Sequence, residues 1–423
     1  MPARSAHSRL VILTLLITLS VVSAARAGES AAVVFEHTLA AEGLQAAETR
    51  FQEMLADTTG AYDFPGRELV RALPTRLCQE GRRDAALRLL ELLEPLFRDA
   101  GAYWAELANA YRYAGDRPRM ERALREALER EPERPDLIWM LENLTPLLEV
   151  ARIQIENERA YEPGEQTHIQ GPYLGQDPPG TRPEVFAPAL LNTSAHEYSI
   201  SFTPDGREIY FSRGGGGTFV CRWETEGWTA PEPVRFMAEP WLTEEANVAA
   251  DGSAIFFCAR NDLRSPREIW RALRVGGGWG VPDKLFVGMY ATSTRDGTLY
   301  YTGIEERPDY GILYRRRWTG SAYAEPERLV GELDSEFPDA HPFIAPDESF
   351  LLFDSYRPSA PGIFVSFPLP DGTWGEAIRL NEHLGIPPAG QCALSPDGKY
   401  LFFCLAGDMY WADARFLTDL RPR

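Results

Sequence analysis

The chain is short of cysteine and of positive charge, and each shortage excludes a class of protein. Its five cysteines, odd in number and without a CxxC pair, match no zinc-site spacing and cannot all pair with one another. The chain contains 43 Lys and Arg and 62 Asp and Glu, which gives a formal net charge of −19. Because nucleic acids and anionic membranes attract clustered Lys and Arg, this balance argues against both as partners.

Sequence signatures of catalysis are also missing. The chain has no GxSxG nucleophile elbow, no HExxH zinc motif, no Walker loop and no DxDxDG calcium loop. The glycine-rich stretch Arg213–Thr218 joins two predicted strands rather than a strand and a helix, which is typical of a loop and not of a phosphate cradle. No catalytic residue, metal or cofactor is therefore assigned, and a binding protein is favoured over an enzyme.

The first residues predict an export signal. Arg4 and Arg9 precede an apolar run from Leu10 to Val22, and Ala25-Arg26-Ala27 has the small-x-small form of a cleavage site. This run is too short to cross a bilayer, and no later stretch is long and apolar enough to do so. We expect residues 1–27 to be a signal peptide cleaved after Ala27, no membrane span, and a periplasmic or extracellular mature protein.

Residues 31–160 predict a helical domain. Leu, Ala, Glu and Arg dominate there, and apolar residues recur three and four apart. A period of 34 residues is visible, and its second copy resembles a tetratricopeptide repeat at Trp104, Leu107, Ala108, Tyr111, Gly115, Leu124, Ala127 and Pro132. Because one helical hairpin cannot bury its apolar face alone, the copies should stack into a short solenoid, either a partner-binding groove or a support for the next domain.

A different pattern begins at about residue 182, after a stretch rich in Gly and Pro at 161–181 that predicts a linker. Five times, a tight turn is followed at once by a run of aromatic and β-branched residues. The turn residues are Asp205, Asp251, Asp296, Asp347 and Asp397. Their spacings of 46, 45, 51 and 50 residues are typical of β-propeller blades, each a sheet of four strands.

The strand count predicts how the ring closes. Only four of the five units are followed by a fourth strand, so the segment around Val185–Pro188 should complete the last blade beside Asp408–Ala414. The predicted fold class is therefore α plus all-β and multidomain. A short tetratricopeptide-like α-solenoid precedes a propeller over residues 182–423, in which five blades are favoured and six are the alternative.

The propeller region resembles the WD-like repeats of the TolB-like β-propellers. The resemblance covers roughly residues 180–423 and rests on three turns with an aromatic strand after each: Thr203-Pro204-Asp205-Gly206, Ala345-Pro346-Asp347 and Ser395-Pro396-Asp397-Gly398. It implies the propeller fold and adds an envelope assembly or translocation factor as an alternative role. TolB itself has six blades and a different N-terminal domain, whereas five blades and helical repeats are expected here.

One set of polar residues is expected to converge at an end of the channel. The first strand of each blade lines the channel, and its start lies at the same end as the loop after the second strand. The candidate ligand-binding residues are His196, Glu197, Glu244, Glu245, Asp339, His341, Arg213, Arg260 and Arg357. Such groups could bind a small ligand, a cation or a peptide terminus, but arginines that recur between blades could equally serve packing by pairing with acids.

Two repeat modules without a catalytic signature favour an exported, non-enzymatic binding or scaffold protein. Its partner would be a protein or peptide, or a small ligand or cation at the channel. The alternative is a propeller hydrolase, glycoside-active or metal-assisted. That alternative requires two acids, drawn from Glu197, Glu244, Glu245 and Asp339, to face each other across an open cleft.

Overall fold

A computed structural model describes residues 29–160, 169–188, 190–225, 227–261, 265–305, 311–331, 333, 337–357 and 360–422. The predicted signal peptide and the first part of the predicted linker lie outside the described residues. None of the described helices is long and apolar enough to cross a bilayer.

Residues 31–160 form a layer of helices, which we call the helical cap. Each helix buries one apolar stripe against its neighbours, so the helices pair as antiparallel hairpins. Helices α1 to α8 are Ala31–Glu42, Leu44–Ala56, Leu73–Gln79, Arg83–Phe97, Gly101–Tyr113, Arg117–Arg130, Pro135–Glu142 and Leu144–Ala160. A π-helical turn, Glu68–Ala72, leads into α3, and strands β1 (Glu29–Ser30) and β2 (Tyr62–Asp63) pair in parallel at the N-terminal edge.

The α5–α6 hairpin places the repeat-pattern residues as a stacked helical unit requires. Leu107, Ala108, Leu124 and Ala127 are all buried in the core of the cap. The Asp116 side chain caps α6 by accepting a hydrogen bond from the backbone N–H of Arg119 at 3.1 Å. The helical character of this region is confirmed, while its identity as a tetratricopeptide repeat stays a prediction.

The rest of the chain forms five sheets, which are the blades of a propeller. Blade 1 contains β4 to β8, Glu197–Phe202, Glu208–Arg213, Gly217–Glu224, Gly227–Trp228 and Glu232–Pro233. Blade 2 contains β9 to β13, Leu242–Val248, Ala254–Arg260, Glu268–Val275, Gly278–Trp279 and Asp283–Val287. Blade 3 contains β14 to β17, Met289–Ser293, Leu299–Gly303, Ile312–Arg316 and Glu327–Arg328.

Blade 4 contains β18 to β21, which are Asp339–Ile344, Leu351–Ser355, Gly362–Ser366 and Ile378–Arg379. Blade 5 contains β22 to β24, which are Gly390–Leu394, Tyr400–Leu405 and Asp408–Asp413, and its fourth strand is β3, Glu184–Val185. Two short helices, α9 (Asn381–Leu384) and α10 (Phe416–Asp419), follow β21 of blade 4 and β24 of blade 5 in the chain.

The five innermost strands contact one another in a closed ring, in the order β4, β9, β14, β18, β22 and back to β4. Closure uses the predicted N-terminal strand, because Val185 pairs with Tyr410 and Glu184 with Trp411 in antiparallel register. Phe186 is fully buried between the rings of Phe402 and Trp411. The described residues therefore form five blades, and the six-blade alternative is wrong.

The five turns share the chemistry predicted for them. In each, the Asp carboxylate accepts a hydrogen bond from the backbone N–H two residues later, which fixes the turn. Four turns place Gly at a positive φ, but the fourth places Glu348 there, at φ 56°. The Tyr300 hydroxyl donates to Glu348 Oε1 at 2.8 Å, and this bond helps to offset the strain of a left-handed glutamate.

Each innermost strand also carries a β-bulge that the sequence did not reveal. A non-glycine residue with φ between 49° and 57° stands six positions before each turn Asp; these bulge residues are Ser199, Glu245, Tyr290, His341 and Gln391. At each of them the strand register shifts against its neighbour. The bulge frees a backbone N–H from the sheet ladder, and a buried N–H needs another acceptor.

Four of these freed N–H groups find their acceptor on the preceding blade. Those of Glu245 and Tyr290 donate to Ser212 Oγ and Cys258 Sγ at 2.8 and 3.1 Å. Those of His341 and Gln391 donate to Thr302 Oγ1 and Asp354 Oδ1 at 2.9 and 3.1 Å. These bonds tie neighbouring blades together around the channel, and we call them the inter-blade bonds. All five cysteines are buried as free thiols, and Cys258 serves here as an acceptor.

The helical cap lies over the end of the channel at which the innermost strands begin. At the end of α3, the Gln79 carbonyl accepts a hydrogen bond from His196 N at 2.7 Å, next to blade 1. On α8, Asn157 Nδ2 donates to Asp408 Oδ2 and to the Tyr410 hydroxyl of blade 5, each at 2.7 Å. From α7, Trp139 meets Tyr356 of blade 4 edge-to-face, with ring centroids 6.5 Å apart. The cap therefore contacts blades 1, 4 and 5.

Candidate functional site

A cavity of about 580 Å³ lies between the helical cap and the mouth of the propeller channel. We call it the cap cavity. Both domains form its wall, the cap through α3, α5, α7 and α8 and the propeller through the starts of its innermost strands. Its polar and aromatic lining includes Gln79, Asn109, Arg112, Tyr113, Trp139 and Gln154 from the cap, and Tyr198, Glu244, Glu245, Arg260, Arg267, His341, Asp354, Tyr356 and Gln391 from the propeller.

The structure brings five of the nine predicted residues to this cavity and places the other four elsewhere. His196, Glu244, Glu245, Arg260 and His341 line it. Glu197 and Asp339 are buried inside their blades, 0% and 2% exposed. Arg213 and Arg357 pack against the aromatic rings of Phe219 and Phe364 on the third strands of their blades, at 4.7 and 4.9 Å from the ring centroids.

Glu197 and Arg213 form a buried ion pair that supports blade 1. Arg213 Nε donates to Glu197 Oε1 at 2.6 Å, and Thr193 donates to both carboxylate oxygens through its hydroxyl and its backbone N–H. Burial raises the pKa of Glu197, and Arg213 and Thr193 oppose that rise. With its oxygens satisfied in this way, Glu197 contributes to the packing of the blade and lies outside the lining of the cap cavity.

His341 forms the centre of an ionic group on the channel wall. Its Nδ1 lies 2.9 and 3.0 Å from the Asp354 oxygens, and its Nε2 lies 3.6 Å from Glu245 Oε1. Burial alone would lower the pKa of His341, but the charges and hydrogen bonds of Asp354 and Glu245 outweigh burial and raise it to about 10. His341 is therefore a cation at neutral pH. Burial alone would raise the pKa of Glu245, yet the bond to His341 and its charge keep it below its usual value.

Glu244 stands beside this group and faces two arginines of its own blade. Arg260 Nη2 and Arg267 Nε lie 3.8 and 4.0 Å from Glu244 Oε2. The Tyr198 hydroxyl donates a hydrogen bond to Glu244 Oε1 at 3.0 Å, and burial raises the pKa of Tyr198 far enough to keep it protonated. Glu244 is therefore an acceptor for one neutral donor and a counter-charge for two guanidinium groups.

His196 and Cys404 meet on the blade 1 and blade 5 side of the cavity. Their Nε2 and Sγ atoms are 3.5 Å apart. Burial, aided by the charge of Arg112, lowers the pKa of His196 to about 4, and burial raises the pKa of the Cys404 thiol. At neutral pH both groups are uncharged, which is the reverse of the thiolate and imidazolium pair that a nucleophilic cysteine requires.

The acids do not take the arrangement that the hydrolase alternative requires. Glu197 and Asp339 lie away from the cavity, while Glu244 and Glu245 are consecutive residues of β9 rather than opposed across a cleft. Across the part of the chain that the structure describes, no group of three or more His, Cys, Asp or Glu side chains could hold a metal ion.

Several lining residues were not predicted as site residues from the sequence. Asp354 stands seven positions after its turn Asp, as Cys258 does, and Gln391 stands six before, as His341 does, so aligning the five units on their turns would have found both positions. Arg112 comes from α5, and no signal in the sequence links that helix to the channel.

A search against models of known protein families finds no match, and a search of curated proteins finds none either. Solved structures do resemble about half of the chain. A TolB-like protein from Agrobacterium tumefaciens is 19% identical over 49% of this chain and 69% of its own, with a TM-score of 0.37. TolB from Acinetobacter baumannii is 14% identical over 53% of this chain and 56% of its own, with a TM-score of 0.35.

A gluconolactonase from Xanthomonas campestris is 16% identical over 51% of this chain and 85% of its own, with a TM-score of 0.32. All three similarities have identities below 20% and TM-scores below 0.5. Because unrelated functions share this fold, the similarity does not extend to function.

Proposed function

We propose that this chain is an exported, non-enzymatic binding protein that holds a small polar ligand in the cap cavity. The observation that carries the proposal is the cavity itself, about 580 Å³ in volume and lined by charged, amide and aromatic side chains of both domains. That volume falls within the range of small-molecule sites, which often lie between domains. A protein partner, which the sequence favours, would use other faces of the cap.

The ionisation states of the lining residues support binding rather than catalysis. His196 and Cys404 are neutral, and His341 is held as a cation between two carboxylates. None of these groups has a pKa poised near neutrality, as a general acid or base would need.

Filling the cavity tests the proposal directly. Ala389 lines the cap cavity, so Ala389→Trp would place an indole in the ligand's volume. A matched control, Ala102→Trp, puts the same ring on the exposed face of α5. We expect members of a library of sugars, amino acids, short peptides and polyamines to bind the wild type and the control in calorimetry, and to bind Ala389→Trp at least tenfold more weakly.

Two results would contradict the proposal. One is a wild type that binds no member of the library. The other is binding that Ala389→Trp leaves intact although its circular dichroism and melting temperature match those of the control.

Export is checked separately: the mature protein isolated from the cell envelope should begin at Gly28, and an N-terminus at Met1 would refute the predicted cleavage.

A further inference from the structure

Three arginines and the cationic His341 face the cap cavity, against three carboxylates. Arg260 and Arg267 come from blade 2, and Arg112 comes from α5 of the cap. Asp354 and Glu245 flank His341. With Glu244 they make three carboxylates against four cationic groups, so the charged groups on the wall sum to one net positive charge.

The contacts of Arg260 and Arg267 with Glu244 are ionic but are not hydrogen bonds. At 3.8 and 4.0 Å, the N–O distances exceed hydrogen-bonding range. The Nε atoms of both arginines are buried, and within the described part of the chain neither has a hydrogen-bond partner. A buried N–H without an acceptor is unfavourable, so this pair, whose side chains are 20% and 37% exposed, is suited to an acceptor that a ligand would bring.

Arg112 faces the same cavity from the opposite domain. Its Nε donates to Asn109 Oδ1 at 3.2 Å, and its guanidinium lies 4.3 Å from the centroid of the Tyr113 ring. Among the described residues, no carboxylate forms an ion pair with it. In a protein of net charge −19, the wall of this partly open cavity therefore carries an excess of positive charge.

We propose that the ligand of the cap cavity carries a carboxylate, which binds the guanidinium groups of Arg260 and Arg267 with Arg112 facing it from the cap. This inference rests on the proposed function and names the class of its ligand. A planar carboxylate matches the fork geometry of arginine donors. A phosphate dianion fits less well, because Glu244 and Glu245 stand beside the two blade 2 arginines and repel a second negative charge.

The rest of the ligand meets aromatic rings and amides. Tyr113, Trp139 and Tyr356 supply flat apolar faces, and Gln154 and Gln391 supply donors and acceptors. Two sources of carboxylate suit such a wall: a sugar acid, whose ring stacks on aromatic faces, and the free C-terminus of a short peptide. They share the carboxylate, and the experiment separates them.

The test on the wild-type protein compares each acid with its neutral counterpart. Binding of D-glucuronate is measured by calorimetry against D-glucose, binding of trialanine against trialanine amide, and inorganic phosphate is a third probe. We expect at least one acid to bind tenfold or more tightly than its neutral counterpart, and binding to weaken as salt is raised. The pair that shows the preference identifies the source.

Variants locate the carboxylate. Arg260→Gln and Arg112→Gln should each weaken binding of the preferred acid about tenfold or more while leaving its neutral counterpart unaffected. The control, Arg235→Gln, changes an arginine whose side chain is 75% exposed on blade 1 and should leave binding unchanged. Because the wild-type comparison needs no variant, a variant that fails to fold does not remove the test.

The outcomes separate this inference from the proposed function. If acids and neutral counterparts bind equally, if phosphate binds best, or if the broader library yields only neutral or cationic ligands that Ala389→Trp excludes, the carboxylate inference is overturned and the proposed function stands. If no compound binds the cavity at all, the proposed function fails, and this inference fails with it.

Discussion

Ser212 shows how a single buried hydroxyl holds two blades together. It is fully buried, and its oxygen accepts the N–H that the bulge at Glu245 withdraws from the sheet. The equivalent position in the next blade is Cys258, whose sulfur accepts from Tyr290 in the same way. In three of the four inter-blade bonds the acceptor stands seven positions after its turn Asp, and it is a hydroxyl, a thiol or a carboxylate; in blade 3 the acceptor, Thr302, stands six positions after Asp296.

Ser212→Ala should destabilise the protein by about 1–3 kcal/mol, because the buried N–H of Glu245 would lose its acceptor. Ser212→Cys should destabilise the protein less than Ser212→Ala, since the thiol of Cys258 already accepts the equivalent bulge N–H. Urea unfolding of both variants and the wild type measures the difference. Equal losses for the two variants would show that the inter-blade bond contributes nothing measurable.

His341 gives the stability of the protein a pH dependence with a definite sign. Its pKa is raised from 6.5 to about 10 in the folded state, so its stabilising effect is complete below about pH 6.5 and is lost as the pH rises toward 10. Between pH 7 and 9 this group alone should lower the free energy of unfolding by about 2 kcal/mol.

The variant His341→Gln should flatten that dependence, and glutamine tolerates the left-handed backbone because Gln391 occupies the equivalent position. The control is His383→Gln, which changes an exposed histidine on α9. Urea titrations at pH 7, 8 and 9 provide the measurement. A slope in His341→Gln as steep as in the wild type would show that other groups cause the pH dependence.

The sequence placed five of the nine candidate residues at the cap cavity correctly, and the reason that it missed the other four is geometric. The nine candidate residues stand at different distances from their turns: Glu197 eight positions before, Glu244 seven, and Glu245 and His341 six. Only the last distance is that of the bulge residue, so side chains that look equivalent in the sequence point in different directions. None of the bulge residues is Gly or Asn, so nothing in the sequence marked the left-handed conformation.

Among the elements, the glycine-rich loop after β5 has the clearest unexpected role. The sequence indicated a loop, and the structure shows that it contacts the end of α3. A methyl group added to Gly214 would lie 2.8 Å from both Cβ and the carbonyl oxygen of Gln79, which is too close for any side chain. The absence of a side chain at Gly214 therefore permits the cap to approach blade 1.

Gly214→Ala should loosen the cap from blade 1 at a cost of about 1–3 kcal/mol, because backbone atoms cannot move aside as a side chain can. Gly277→Ala, where an added methyl meets nothing within 4 Å, is the matched control. Hydrogen exchange should rise in α3 for the first variant alone. Unchanged exchange in α3 would mean that the loop and the helix are not coupled.

At the scale of the whole molecule, one short strand joins the two ends of the propeller. Strand β3 precedes every other propeller strand in sequence, yet it is the fourth strand of the last blade. Phe186 anchors it, and the Phe186 backbone N–H donates to the Met409 carbonyl at 2.8 Å. The carboxamide of Asn192 is fully buried there and bonds to both Phe186 and Met409.

Phe186→Ala should lower the free energy of unfolding by about 3–5 kcal/mol and open the circle of blades at blade 5. Phe353→Ala removes an equally buried ring from blade 4, away from the closure, and should cost a similar amount. Hydrogen exchange distinguishes the two variants. It should rise across β24 for Phe186→Ala and within blade 4 for Phe353→Ala. If β24 in Phe186→Ala stays as protected from hydrogen exchange as in the wild type, that result would argue against closure by β3.

The sequence by itself determined the turns and the helical nature of the first domain, and it favoured five blades closed by an N-terminal strand. The turns, the helices and the blade spacing follow from local rules, each expressed within about fifty residues, whereas the closing strand followed from counting strands over the whole propeller. Only the tertiary structure decided that the cap sits on the channel mouth, and which charged residues meet there. That outcome depends on contacts such as Gln79 with His196, whose partners are far apart in the chain and carry no shared pattern.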